Sequence, residues 1–231
     1  MSSLGQRLAE IESRIDDATS KAGRKRNEIE LIVVSKNHPA QMVIDLLELG
    51  VRAFGENRDQ EAKPKSEEVA ALVNGKDYDY SWHFIGQLQS NKVRSALSYA
   101  SVVHSVDRQS LLDAIIKATQ ERVTPLDVFI QLNLTDDPAR GGIEPKNLLA
   151  FAEQVLAAPM LNLVGVMGVA SLDRAPEMDF ETIQQASQAL IGVAPLAKSI
   201  SAGMSEDFEA AIAFGATHLR IGSAITGKRQ Y

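Results

Sequence analysis

The stretch LIVVSKNHPA, residues 31–40, carries the decision about the fold. Leu31, Ile32, Val33 and Val34 follow one another without polar alternation, the pattern of a strand covered on both faces in a parallel sheet. Ser35 and Lys36 end the run. Pro39 then suits the first turn of a helix, with Asn37 or His38 as its cap. An ammonium group thus stands at the carboxyl end of a buried strand.

Outward from this point, strand-like and helix-like segments alternate. Strands are expected to begin near Leu31, Val51, Ser81, Ser101, Asp127, Asn162, Ala197 and Thr217, with starts 20 to 35 residues apart. That spacing is close to the ~30-residue βαβ unit. QMVIDLLELG, QSLLDAIIKATQ, KNLLAFAEQVLAA and EDFEAAIAFG read as intervening helices, two of them stopping on Gly50 and Gly215. Ahead of the first strand, Leu4, Leu8, Ile11, Ile15 and Ala18 fall at helical spacing, so an extra N-terminal helix within residues 1–25 packs on the rest. The fold class is therefore α/β: a single (β/α)8 TIM barrel over residues 1–231, with an open doubly wound sheet as the alternative. No linker, repeat or low-complexity run divides the chain.

Composition narrows the function. Lys and Arg total 24 against 30 Asp and Glu, a formal charge of -6, so the basic footprint of a nucleic-acid binder is missing. The opening MSSLGQRLAEIESRIDD has no apolar signal core, and no span is long enough to cross a bilayer. The chain has no cysteine, which excludes disulfides, thiolate metal sites and cysteine nucleophiles. No histidine–carboxylate set has ligand spacing, and no G-x-S-x-G or Walker pattern occurs. A cytoplasmic enzyme or binding protein without a metal is expected.

A barrel gathers its chemistry where the strands end. Those ends read Ser35-Lys36, FGEN (54–57), WHFIGQLQSNK (82–92), HSVD (104–107), QLN (131–133), GVMGVAS (165–171), SAGMSED (201–207) and RIGSAITG (220–227). The apolar runs before them are expected to fill the barrel. SAGMSED supplies Ser201, Gly203 and a cap, Ser205, for a helix starting near Glu206, and RIGSA supplies Gly222 and Ser223. Amides at such turns with a nearby hydroxyl hold phosphate, and barrels place phosphate after strands seven and eight. Lys36 at the mouth, partly desolvated, could condense with a carbonyl; a lysine reaching to water is the plainer use. Pyridoxal 5'-phosphate and a phosphorylated sugar aldehyde both join a carbonyl to a phosphate. Arg220, two residues before Gly222, points into the mouth, as a donor to a pyridine nitrogen or as half of an ion pair. His83 and His104 read as a base or as hydrogen-bonded core residues, and His38 and His218 lack partner spacing. Lys63 to Lys65 reads as solvated surface, and ARGGIEP (139–145) as a mobile loop at the mouth.

Ser35-Lys36, FGEN, WHFIG.LQ.NK, GMS.D...AI..G.T..RIG.AI.G and Arg229-x-Tyr231 together resemble the YggS/PROSC family of pyridoxal phosphate homeostasis proteins. The resemblance runs from Lys36 to Tyr231 and implies a barrel like the N-terminal domain of alanine racemase. It implies that Lys36 forms the internal aldimine, that Asn57 and Met167 line the ring, and that Arg220 faces the pyridine nitrogen. Ser201, Gly222 and Ser223 are implied to hold the phosphate. Asn37 and His38 stand where the family has a threonine after the lysine, Ala202 and Thr226 replace larger residues, and Ser223 stands for threonine.

Three uses follow: a pyridoxal phosphate carrier serving intracellular homeostasis, a low-activity racemase-like enzyme, or an aldolase using Lys36. One barrel without a second catalytic domain, and an arginine that cannot protonate the ring, favour the carrier with no efficient turnover and no catalytic residue. Its expected partners are the cofactor and the apo-enzymes that receive it. The barrel is expected to be a monomer.

Overall fold

The apolar run at Leu31 becomes β1 (Glu30–Val34), and Lys36 lies in the turn that follows it. The computed structural model describes residues 2–135, 137 and 140–227. The other strands are β2 (Ala53–Glu56), β3 (Ser81–Phe84), β4 (Val102–Val106), β5 (Leu126–Gln131), β6 (Leu161–Met167), β7 (Ser199–Ser201) and β8 (His218–Ile221). All eight pair in parallel in chain order, and β8 returns to β1 to close the barrel. Parallel closure puts every carboxyl end on one rim, which excludes the open sheet.

The helices are α1 (Leu4–Lys21), α2 (Ala40–Glu48), α3 (Asp59–Leu72), α4 (Val93–Ala96), α5 (Gln109–Thr119), α6 (Leu148–Leu156), α7 (Pro176–Val193), α8 (Phe208–Ala213) and α9 (Ser223–Thr226). In α1 the apolar stripe of Leu8, Ile11, Ile15 and Ala18 is buried. Arg7 Nε donates to the Ile225 carbonyl at 2.6 Å and Arg24 Nη1 to the Ala216 carbonyl at 2.7 Å, so α1 is fastened to the closing segments. Gly50 and Gly215 take φ of 93° and 91°, the left-handed conformation expected after a helix.

Two expected helix starts fall elsewhere. Pro39 is itself the N-cap of α2, and Asn37 adopts φ 63° in the turn before it. The cap of α8 is Asp207, whose Oδ1 accepts from the Met204 amide at 2.6 Å, while Ser205 lies in the preceding turn.

The strands' apolar side chains do not fill the barrel. Leu31, Val33, Phe54, Trp82, Phe84, Val103, Val128, Ile130, Leu163, Val166, Ile200 and Leu219 belong to one cluster with the helices. Successive strand residues face opposite sides, so the other parity looks inward. That lumen holds Ile32 and Val34 of β1 and a small cluster of Val102, Phe129 and Met167, together with histidine, serine and arginine. From Gly141 onward the ARGGIEP segment is tied to β5 rather than loose: the Ile143 amide donates to Gln131 O and the Asn133 amide to Ile143 O, at 2.8 and 2.9 Å. Ala139, like Arg229 and Tyr231, lies outside the described residues.

Candidate functional site

The rim collects the expected residues. Lys36 follows β1, Asn57 follows β2, Met167 ends β6, Ser201 ends β7, and Arg220 and Gly222 lie at the end of β8. Lys36 is solvent-exposed rather than partly desolvated, because β1 ends at Val34 and Ser35 is the last residue the helices cover. Its amine has no hydrogen bond or ion pair among the described residues.

The backbone on either side of that lysine is fixed from outside the barrel. Ser35 Oγ donates to Glu56 Oε1 at 2.8 Å, and Lys65 Nζ donates to Ser35 O at 2.8 Å and to Glu56 Oε1 at 2.7 Å. The Asn37 amide donates to Glu61 Oε1, one turn before Lys65 on α3. Lys65 is therefore a buried brace and not solvated surface. Burial pushes the Glu56 carboxyl above the usual carboxylate range, opposed first by the Lys65 charge. Glu56 of FGEN and Lys65 are functional neighbours that the sequence does not single out; the glutamate's place at a strand end is the one available signal.

Next to this brace, the Asn57 side-chain Oδ1 is buried without a partner. The chain runs so close here that a Cβ on Gly86 would meet the Asn57 carbonyl oxygen at 2.2 Å. A buried acceptor left open costs free energy until a donor reaches it.

Across the rim, Arg220 is 5% exposed. Its Nη1 donates to Ser201 Oγ at 2.5 Å and its Nη2 to the Gly168 carbonyl at 2.8 Å. Burial pulls the guanidinium down to about 10, with the Asp207 carboxylate opposing, so the group remains a cation at neutral pH. Ser201 faces inward from the end of β7. Its hydroxyl is fully buried, turned into the lumen between Arg220 and His104 Nδ1 at 2.8 Å, because inward parity on β7 points it away from the loop above. The neighbouring loops keep phosphate-type donors. Gly222 O accepts from the Ile225 and Thr226 amides at 2.8 and 3.0 Å, which leaves the Ser223 and Ala224 amides at the helix start without an intrahelical carbonyl. Ser223 is exposed beside them, and Thr226 Oγ1 pins the turn by donating to Gly222 O at 3.2 Å.

Beneath Arg220 the lumen is polar. His104 Nε2 lies 2.9 Å from His83 Nδ1, and His83 Nε2 lies 2.9 Å from Ser81 Oγ and 3.7 Å from Glu30 Oε1. His218, which sequence spacing leaves alone, meets Glu30 Oε2 at 2.9 Å through Nε2. His83 and His104 are hydrogen-bonded core residues. No group of three or more His, Asp or Glu among the described residues could hold a metal, and no described helix is long and apolar enough to cross a membrane.

Comparison with known proteins agrees with this geometry. The profile of the family described as alanine racemase, N-terminal domain, matches residues 7–230. A pyridoxal phosphate homeostasis protein of Mycobacterium leprae is 38% identical, the match covering 98% of this chain and 93% of that one. One of Escherichia coli is 36% identical over 100% and 99% of the two chains. Among solved structures, PipY of Synechococcus elongatus with PLP bound superposes at a TM-score of 0.82, 30% identical, covering 97% of this chain and 100% of that one. Alanine racemase of Corynebacterium glutamicum, 14% identical at a TM-score of 0.66 over 97% and 62% of the chains, shares the fold.

Proposed function

We propose, from the premise that the chain belongs to the family of pyridoxal phosphate homeostasis proteins built on the alanine racemase N-terminal fold, that it binds pyridoxal 5'-phosphate at the barrel rim through Lys36 and holds it for intracellular supply. The observation that carries this reading is the donor set on one rim: a free primary amine, a buried guanidinium and an unpartnered amide oxygen. Pyridoxal phosphate brings an aldehyde, a ring nitrogen, a phenolic hydroxyl and a phosphate.

The residues fit that group. Lys36 supplies the amine for the aldehyde. Arg220 donates to the ring nitrogen and keeps its own proton, so the ring stays a weak electron sink and holding is favoured over turnover. Asn57 Oδ1 offers the buried acceptor that a hydroxyl would satisfy, and Met167 lines the lumen beneath. The turn at Gly222 and Ser223 holds the phosphate, while Ser201 acts through Arg220. The racemase-like reading has no further observation in its favour. The protein is a monomeric, cytoplasmic holder that passes the cofactor to apo-enzymes.

The test is borohydride reduction after loading, followed by peptide mapping. The label is expected on Lys36 and absent in Lys36→Ala. A label on Lys65 or another lysine would overturn the site.

A further inference from the structure

Arg220 at the rim is joined to Ser81 at the opposite mouth by an unbroken file of hydrogen-bonded side chains, with the Glu30 carboxylate 3.7 Å from its last ring. Both ends of that file demand the same direction. Arg220 is a donor only, so Ser201 Oγ must accept from it. The serine's own proton then needs an acceptor, and His104 Nδ1 at 2.8 Å is the one the structure offers. His104 is left protonated on Nε2, which donates to His83 Nδ1 at 2.9 Å. His83 is left protonated on Nε2, facing Ser81 Oγ at 2.9 Å and the Glu30 carboxylate at 3.7 Å. From the floor upward the order is identical. Glu30 is exposed and, when ionised, accepts only; Ser81 Oγ points its own proton at the Arg52 carbonyl, 3.5 Å away.

We propose that His104 and His83 are positioning residues for Arg220, forming with Ser201 a one-way donor chain through the barrel that ends on Ser81, with the Glu30 carboxylate facing its last ring, and that sets how strongly the arginine acts on the cofactor's ring nitrogen. The inference rests on the pyridoxal phosphate reading only for its last step. His104 is fully buried and stacks on Phe129 at 4.4 Å and 18°, so its ring cannot turn to exchange its two nitrogens. Burial holds both imidazoles neutral: His83 falls to about 4 and His104 well below its ordinary value. The titratable groups facing His83 are Glu30 and His218, and those facing His104 are His83, Arg220 and His218. Neutral rings in one tautomer let each bond polarise the next, so that Ser201 oxygen becomes a better acceptor for the guanidinium. Without the chain, or without the Glu30 carboxylate facing it, Ser201 accepts less strongly and the guanidinium directs more of its charge at the rim.

The unloaded wild-type protein tests the chain directly. Nitrogen chemical shifts should show His83 and His104 neutral from about pH 6 to about pH 8, each with Nε2 protonated and Nδ1 bare. The opposite tautomer, or a charged ring in either residue over that range, overturns the proposal. Spectra of the unloaded protein report the two tautomers whether or not pyridoxal phosphate binds, so failure of the functional reading is separately visible. In loaded protein, the pH midpoint of the visible cofactor band should move to lower pH, by about one unit in His104→Phe and by a few tenths in Glu30→Gln. A midpoint unmoved in both variants, even with weakened binding, would mark the chain as structural and overturn its link to the cofactor.

Discussion

Two buried polar networks serve the same rim, one outside the barrel wall and one inside it. The outer one, Ser35–Glu56–Lys65, sets an ammonium 2.7 Å from a carboxylate and leaves Glu56 Oε2 without a partner. The inner one links Arg220, Ser201, His104 and His83 and keeps its middle neutral. Both lie away from water, yet they depend on different things. The outer network needs both charges at once, because either alone would be stranded in a medium of low dielectric. The inner network needs its protons in order. A brace for backbone and a support for a side chain thus come from different chemistry, charge in one and tautomer in the other.

The sharpest break removes half of the outer pair. Lys65→Met should cost about 3–5 kcal/mol, since it leaves Glu56 buried and unpaired. Replacing both partners by apolar residues should recover most of that loss, as read from urea unfolding midpoints. A single variant that unfolds like wild type would mean water reaches Glu56.

Acid should break the inner network instead. His83 is lowered from 6.5 to about 4 by burial, so between those values the unfolded chain binds more protons than the folded one. Its contribution is full above about pH 6.5 and lost as pH falls toward about 4, roughly 3 kcal/mol, with His104 acting in the same direction. Stability followed by denaturant across this range should slope accordingly, and the slope should flatten in His83→Gln. An unchanged slope would assign the acid sensitivity elsewhere.

The smallest effect gives the scale for both. Arg14 and Glu209 sit 2.6 Å apart with side chains 41% and 39% exposed. Arg14→Ala should cost under about 1 kcal/mol, because water screens such a pair. A larger loss would show that packing between α1 and α8 depends on it.

The architecture is legible in the sequence because apolar runs recur at βαβ spacing and end in small or polar residues, and β1 after Leu31 is the clearest case. Lys36, Arg220 and the turn at Gly222 are legible for the same reason, since strand ends mark the rim. What escapes such a reading depends on partners far along the chain. Lys65 stands in KPKSEE, which looks like a solvated run interrupted by proline, yet Pro64 lies inside α3 and Lys65 points back to Glu56. His218 looks isolated until closure of β8 on β1 brings it to Glu30. Ser201 reads as a loop residue because β7 is only three residues long, too short for its parity to show in the pattern.

The turn at Asn37, left-handed and held by Glu61, would have a kinetic meaning for a cofactor bound as proposed. With the backbone immobile at Ser35 and Asn37, the Lys36 amine remains tethered a side chain's length from its own attachment point. If a cofactor is linked there as proposed, recapture by that amine would be intramolecular, whereas any competing amine would have to arrive by diffusion. On the proposed reading, dwell time would be governed by how fast the ring and phosphate contacts let go, and a recipient would gain most by loosening those contacts, not by attacking the lysine bond.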